Sequence, residues 1–96
     1  MRLDDRVHHR ARLGLLSVLH AASRSVDFTT LRDALSLTDG NCNRHLAGLQ
    51  EAGLVTVSKT RGPSRARTWA QLTPAGLTAL RTEAQALHEL LSGLDL

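Results

Sequence analysis

Apolar side chains recur every three or four positions along the first half of the chain. Leu15, Leu16 and Leu19 share a face that Ala11 and Ala22 extend, so the spacing predicts a helix over 11–22. Residues 23–27 read as a polar connection. Thr29 or Thr30 can cap a short second helix, with Leu31, Ala34 and Leu35 turned inward at offsets of three and four. A tight turn over 36–38 follows, with Leu37 pointing back to the core. Thr38 is the expected N-cap of a third helix running to Ala52, and Asp39 suits its first turn. Cys42, Leu46 and Leu49 make the inward stripe of that helix, and Gly53 is placed to end it in the left-handed region. Three helices joined by short turns are a helix-turn-helix arrangement.

The period then shortens to two. Residues 54–58 alternate and are rich in β-branched side chains, which predicts a strand. Gly62, Pro63 and Ser64 mark a turn within 60–66, and 68–72 is the returning strand of a β-hairpin. Thr73 followed by Pro74 is a strong helix start, a hydroxyl cap and then proline at the first helical position. The last helix continues to about Leu91 and ends near Gly93. Leu77, Leu80, Ala84, Leu87, Leu91 and Leu94 follow one another at heptad spacing along it. The far end of that seam runs past the hairpin, and its simplest use is packing against a second copy of the chain.

Composition narrows the reading. Hydrophobic residues are 42% and charged residues 22% of 96, which suits one compact domain over 1–96 and is too apolar for disorder. Within it, 7–72 would hold the helix-turn-helix and hairpin, and 73–94 the last helix. Phe28 and Trp69 are the only aromatics, so the core must be built from Leu, Val and Ala, which favours helices over a sandwich. The expected fold class is mainly α with a small β-hairpin, an α+β arrangement. A single cysteine excludes an internal disulfide framework and fits a reducing, cytoplasmic setting. Residues 13–22 resemble the apolar part of a signal peptide, but Asp4 and Asp5 stand where that signal is positive, and His20 interrupts the run. No apolar run reaches the roughly 18 residues of a membrane-spanning helix.

Charge points to a partner. Twelve Lys and Arg against nine Asp and Glu give +3, and Lys59, Arg61, Arg65 and Arg67 supply four positive charges with no acid among them. Such a concentration suits a polyanion; the bland alternative is a solvated loop, or cations that discourage edge pairing of strands. Rotation by about 100° per residue puts Asn41, Arg44, Gly48 and Glu51 on the outer side of the third helix, with Asn43 and His45 on its flanks. These are small or hydrogen-bonding groups, able to enter a DNA major groove. Arg44 can bond guanine O6 and N7 together, and Asn41 or Asn43 can pair with adenine in the same way. Both asparagines could instead serve as turn groups near Thr38. The candidate DNA-binding residues are therefore Thr38, Asn41, Asn43, Arg44 and His45 with Lys59, Arg61, Arg65 and Arg67 on the hairpin. Glu51 would repel phosphate and mark the limit of the groove.

Other chemistries are poorly represented. Cys42 could be a redox-sensitive thiolate near a helix N-terminus and Arg44, but its place on the inward stripe favours a small buried hydrophobe. His8, His9, His20, His45 and His88 invite a metal reading. Cys42 is the only thiol, however, and no His pair has the spacing of a ligand pair beside a carboxylate, so no metal or other cofactor is expected. There is no phosphate-binding glycine loop, nucleophile elbow or paired-carboxylate pocket, which argues against an enzyme. The rival of a different class is a protein-contact module whose basic hairpin meets an acidic partner. Such a face would carry an apolar or aromatic anchor where this helix shows Asn41, Arg44 and Gly48.

The order of elements and several short motifs resemble winged-helix DNA-binding regulators of the MarR/ArsR type, in their short single-domain form. The motifs are Arg12-Leu13, residues 28–37, Leu37-Thr38-Asp39-Gly40-Asn41, His45-Leu46, Leu49, Glu51-Ala52-Gly53-Leu54-Val55 and Leu72-Thr73-Pro74-Ala75-Gly76. Together they span about 7–91. Position 42 departs, carrying Cys where similar proteins usually have a larger aliphatic residue. The resemblance implies a homodimeric bacterial transcription factor, a repressor on a pseudo-palindromic operator, with third helices in successive major grooves and wings on the flanks. Full-length MarR proteins use additional helices to build an effector pocket, for which 96 residues leave little room.

Overall fold

The computed structural model describes residues 10–61 and 66–94. Among the described residues, four helices and three strands follow in the order α1 (Arg10–Ala22), β1 (Val26–Asp27), α2 (Phe28–Ala34), α3 (Asp39–Glu51), β2 (Val55–Arg61), β3 (Ala66–Leu72) and α4 (Pro74–Ser92). This is the winged helix-turn-helix expected from the sequence. The inward stripes on α1 and α3 are those that periodicity selects, Leu15, Leu16 and Leu19 on α1 and Cys42, Leu46 and Leu49 on α3. On α2 only Leu31 is fully buried: Leu35 is half-buried at the C-cap, and Ala34, expected inward, is exposed because the helix ends there. The buried side chains meet Val55 and Ala70 of the sheet and Leu80 of α4 in one aliphatic core. Burying a leucine side chain contributes about 1.5–3 kcal/mol, so these three short helices are held by their shared core more than by helix propensity.

Two local features differ from expectation. The cap of α2 is Asp27, not Thr29 or Thr30: its carboxylate accepts the backbone N–H of Thr30 at 3.4 Å and also the Thr30 hydroxyl. That hydroxyl bond holds the Asp27 carboxyl below its ordinary range, and Arg67 adds to the effect. The stretch expected as a polar connection contains β1, whose Val26 and Asp27 pair antiparallel with Ala70 and Trp69. The sheet order is therefore β1-β3-β2, with the hairpin's returning strand in the middle. Val26 is 7% exposed, so its side chain completes the core beneath the sheet. Both hairpin strands are longer than the alternation suggested, pairing from Val55↔Leu72 out to Arg61↔Ala66.

Between α2 and α3, Leu35 closes the first helix and Ser36 turns the chain through a left-handed φ of 54°. Arg32 braces this turn, donating to Asp33 at 2.9 Å and to Asp39, in the first turn of α3, at 2.8 Å. The cap of α3 is Thr38, as its position implied.

The exit of α3 and the start of α4 are tied together. Gly53 takes a φ of 78°, turning the chain into β2. The Thr73 hydroxyl donates to the Gly53 carbonyl at 2.7 Å and accepts the Gly76 N–H at 2.9 Å, while the Thr73 N–H donates to the Leu54 carbonyl at 3.1 Å. One threonine thus caps α4 and fastens it to the loop below α3. The approach is so close that a Cβ on Gly76 would lie 2.0 Å from the Leu54 oxygen and 2.8 Å from Leu72 Cδ1. A Cβ on Gly40 would meet nothing within 4 Å. Gly76→Ala should therefore destabilise the protein by about 3 kcal/mol through overpacking against backbone, while Gly40→Ala should be neutral or stabilising by about 0.5–1 kcal/mol. Urea unfolding of the two variants checks this, and equal midpoints would contradict it.

Candidate nucleic-acid interface

Residues on the outer side of α3 are exposed because its inner side is fully used. Thr38 caps the helix, its Oγ1 accepting the Asn41 N–H at 3.2 Å. One turn further on, Arg44 Nη2 donates to Asn41 Oδ1 at 2.9 Å. These two exposed side chains form a coupled pair, with the guanidinium held along the helix surface rather than free in solvent. Asn43 is exposed as well, but lies about 200° around the helix from Asn41 and so stands apart from that pair. Gly40 and Ala47 keep the surface between them low.

His45 is not on this surface. It is 5% exposed, turned toward α1, and its Nδ1 accepts a hydrogen bond from Arg12 Nε at 3.3 Å. The physical reason is its place three residues after Cys42 and four before Leu49, within the buried arc of the helix. A base contact from His45 is thereby excluded in this conformation. Gly48 also differs from expectation, being half-buried beneath the Arg12 side chain instead of lying open on the outer face. The sequence signal for Arg12 at this place is indirect: a histidine at buried spacing together with a glycine about one turn on.

On the hairpin, Lys59 pairs with Thr68 and Arg67 with Thr60. Successive rows of a sheet point to opposite faces, so the two exposed cations lie on different sides of the wing and do not form one patch. Trp69 Nε1 donates to Thr60 Oγ1 at 3.0 Å, bracing the strands on the side that carries Arg67. Arg61 is seen through its backbone in β2. Its side chain, and Arg65 altogether, lie outside the described residues.

The heptad seam of α4 divides in two. Leu80 is 8% exposed and belongs to the core of its own chain, and Leu77 is half-buried near Leu19 and Leu72. The buried face runs through Gly76, Leu80 and Glu83, so Ala84 is rotated away and exposed. Leu80 is thus an intramolecular core residue and not a seam residue. Leu87 is half-buried, whereas Leu90, Leu91 and Leu94 are 49%, 60% and 62% exposed.

These geometries offer hydrogen-bond donors and positive charge on a projecting helix and hairpin. Among the described residues, no three His, Cys, Asp or Glu side chains come together as a metal site, and no helix is long and apolar enough to cross a membrane. The winged helix DNA-binding domain family profile matches residues 11–91. The chain belongs to the winged-helix DNA-binding domain family.

Relatives of this winged helix agree with its architecture. An uncharacterized protein of Methanocaldococcus jannaschii is 29% identical over 84 residues, covering 88% of this chain and 90% of its own length. The structure of a transcriptional regulator homologue from Pyrococcus horikoshii OT3 superposes with a TM-score of 0.85 at 30% identity, covering 95% of this chain and 89% of that one. A protein assigned to the MarR family of regulators from Enterococcus faecalis V583 shares the fold, with a TM-score of 0.78 at 19% identity over 94% of this chain and 80% of its own. Each of the two solved structures is described as that of a transcriptional regulator or its homologue.

Cys42 sits inside this winged helix with no measurable exposure, and burial pushes its thiol up from its ordinary value. Because the thiolate is the reactive form, Cys42 should react with an aromatic disulfide reagent far more slowly in the native protein than in concentrated urea. Equal rates in the two conditions would make it a reactive surface thiol.

Proposed function

We propose that this winged helix is a homodimeric, sequence-specific double-stranded DNA-binding regulator, a cytoplasmic repressor that acts by occupying promoter DNA. The observation that carries the reading is the hydrogen-bonded Asn41–Arg44 pair on the exposed face of a capped α3. Its guanidinium is oriented in advance, which lowers the entropy lost when it meets a base. In this reading Arg44 bonds the O6 and N7 of a guanine, and Asn43 on the other flank is free to read adenine. Thr38 stands at the helix start beside the sugar-phosphate backbone, and Lys59, Arg61, Arg65 and Arg67 engage flanking phosphate or a narrow minor groove. The whole of 1–96 acts as one domain, 7–72 for DNA and 73–94 for pairing.

The dimer would be built from the distal part of α4. Half-buried Leu87 continues into Leu90, Leu91 and Leu94, an apolar strip that stays exposed among the described residues. A helix of 19 residues is about 28 Å long, which carries this strip well beyond the junction at Thr73. Two-fold pairing there predicts half-sites about 34 Å apart, one turn of DNA.

Selection of bound duplexes from a randomised pool tests the reading. The expected outcome is a pseudo-palindrome with guanine at a fixed place in each half, lost from the pool selected by Arg44→Ala. That variant should bind the selected site more weakly by about 1–3 kcal/mol per half-site. A pool that stays random for the wild type would contradict sequence-specific binding and favour an acidic protein partner. Replacing both Leu87 and Leu91 by Glu should give folded monomers by light scattering, with DNA affinity reduced on the order of 100-fold or more through lost bivalency. A variant that remains dimeric would show that the pairing surface lies elsewhere.

A further inference from the structure

We infer that Arg12 of α1 is an additional DNA contact, binding a backbone phosphate at the wall of the groove that α3 enters, from a seat made by His45 and Gly48. The inference rests on the DNA-binding reading and extends it to a residue outside α3 and the wing.

The seat is specific. Arg12 is half-buried, and its Nε donates to His45 Nδ1 at 3.3 Å, which fixes the plane of the guanidinium. The head lies flat across Gly48: a Cβ there would be 2.6 Å from Nη2, 2.9 Å from Cζ and 3.1 Å from Nη1. Any other residue at position 48 would displace it. Asn41, Arg44 and Gly48 follow at offsets of three and four, so they form a single stripe along α3. Arg12 therefore occupies the third position of the stripe whose first two positions hold the Asn41–Arg44 pair. The cation at that point is supplied from another helix because position 48 carries no side chain of its own.

The chemistry left over identifies the ligand. A guanidinium has five N–H donors in a fixed fork. Among the described residues His45 is the only hydrogen-bond partner of Arg12, and no carboxylate pairs with it. The Nη donors remain available on the side away from His45. An oxyanion with two acceptor oxygens, such as a phosphodiester, fits that fork. Position 48 is about 10 Å along the helix axis from Asn41. Recognition helices touch base edges with their N-terminal residues, and the major groove is about 12 Å wide. A cation that far along α3 stands at the phosphate wall rather than the groove floor. Glu51, nearly one turn further and exposed, sets the end of the phosphate-accepting stretch.

The test compares wild type, Arg12→Gln and Gly48→Ala by fluorescence anisotropy. The probes are a duplex drawn from the DNA upstream of the protein's own coding sequence and a shuffled duplex of equal length, each titrated across salt. A lost phosphate contact in each protomer should weaken binding to both duplexes by similar factors. It should also reduce the salt dependence, so that raising salt fourfold costs Arg12→Gln about tenfold less affinity than it costs the wild type. Gly48→Ala, which keeps the charge but not its seat, should fall between the two, and it carries the test if Arg12→Gln does not fold. An unchanged salt slope in Arg12→Gln would overturn the contact while leaving DNA binding by α3 intact. A loss of discrimination with that slope unchanged would also overturn it, making Arg12 a brace for α3. Wild-type binding and slope in Gly48→Ala would show that the seat is unused. Failure of the wild type to bind either duplex would instead remove the DNA-binding reading on which the contact rests.

Discussion

The contact between Thr73, Gly53 and Gly76 governs the relation of the parts. The same few atoms end α3, begin β2 and start α4. The Thr73 hydroxyl bonds the Gly53 carbonyl on one side and the Gly76 N–H on the other, and the Leu54 carbonyl fills the space where a Gly76 side chain would be. The roles proposed for α3, the wing and α4 require that their mutual angles be fixed. Here they are fixed by backbone groups and a single hydroxyl rather than by long side chains, so little conformational freedom remains at the joint.

From that joint the division of labour on α3 follows. Its buried arc, Cys42, His45, Leu46 and Leu49, is committed to α1 and the sheet. The exposed arc is left with small and polar groups, among which only Asn41 and Arg44 are joined to each other. Arg12 and Gly48 lie on the boundary between the two arcs, and that boundary is where a cation from α1 can reach the exposed side. The long α4 makes a similar division along its length: Leu80 closes the core near the joint, and among the described residues the leucines beyond Leu87 are exposed.

Much of this was legible in the sequence. The stripes of α1 and α3, the Thr38 and Thr73 caps and the change of period at Leu54 are strong local signals, and the structure follows them. β1 was not legible because two residues cannot display a period; it exists because Val26 has a hydrophobic gap to fill beside Ala70. The cap of α2 is ambiguous in sequence because Asp27, Thr29 and Thr30 are all competent caps, and the pairing of Asp27 with Trp69 decides among them. His45 looks like a flank residue in sequence because imidazole counts as polar, although its spacing from Cys42 and Leu49 is that of a buried residue. The heptad on α4 is unbroken in sequence, but the face that α4 buries against the rest of the domain runs through Gly76, Leu80 and Glu83 and leaves Ala84 outside. Arg65 and the side chain of Arg61 lie beyond the described residues, so the wing's charge is known here through Lys59 and Arg67.

Regulation by occupying DNA requires that binding discriminate between sequences. The direct measurement is fluorescence anisotropy of the wild-type protein on a duplex from its own upstream DNA and on a shuffled duplex of the same composition, at several salt concentrations. The account predicts tighter binding to the upstream duplex, with a log–log salt slope of about −5 to −7, corresponding to roughly six to eight phosphate contacts per dimer. No binding to either duplex, even at low salt, would contradict it.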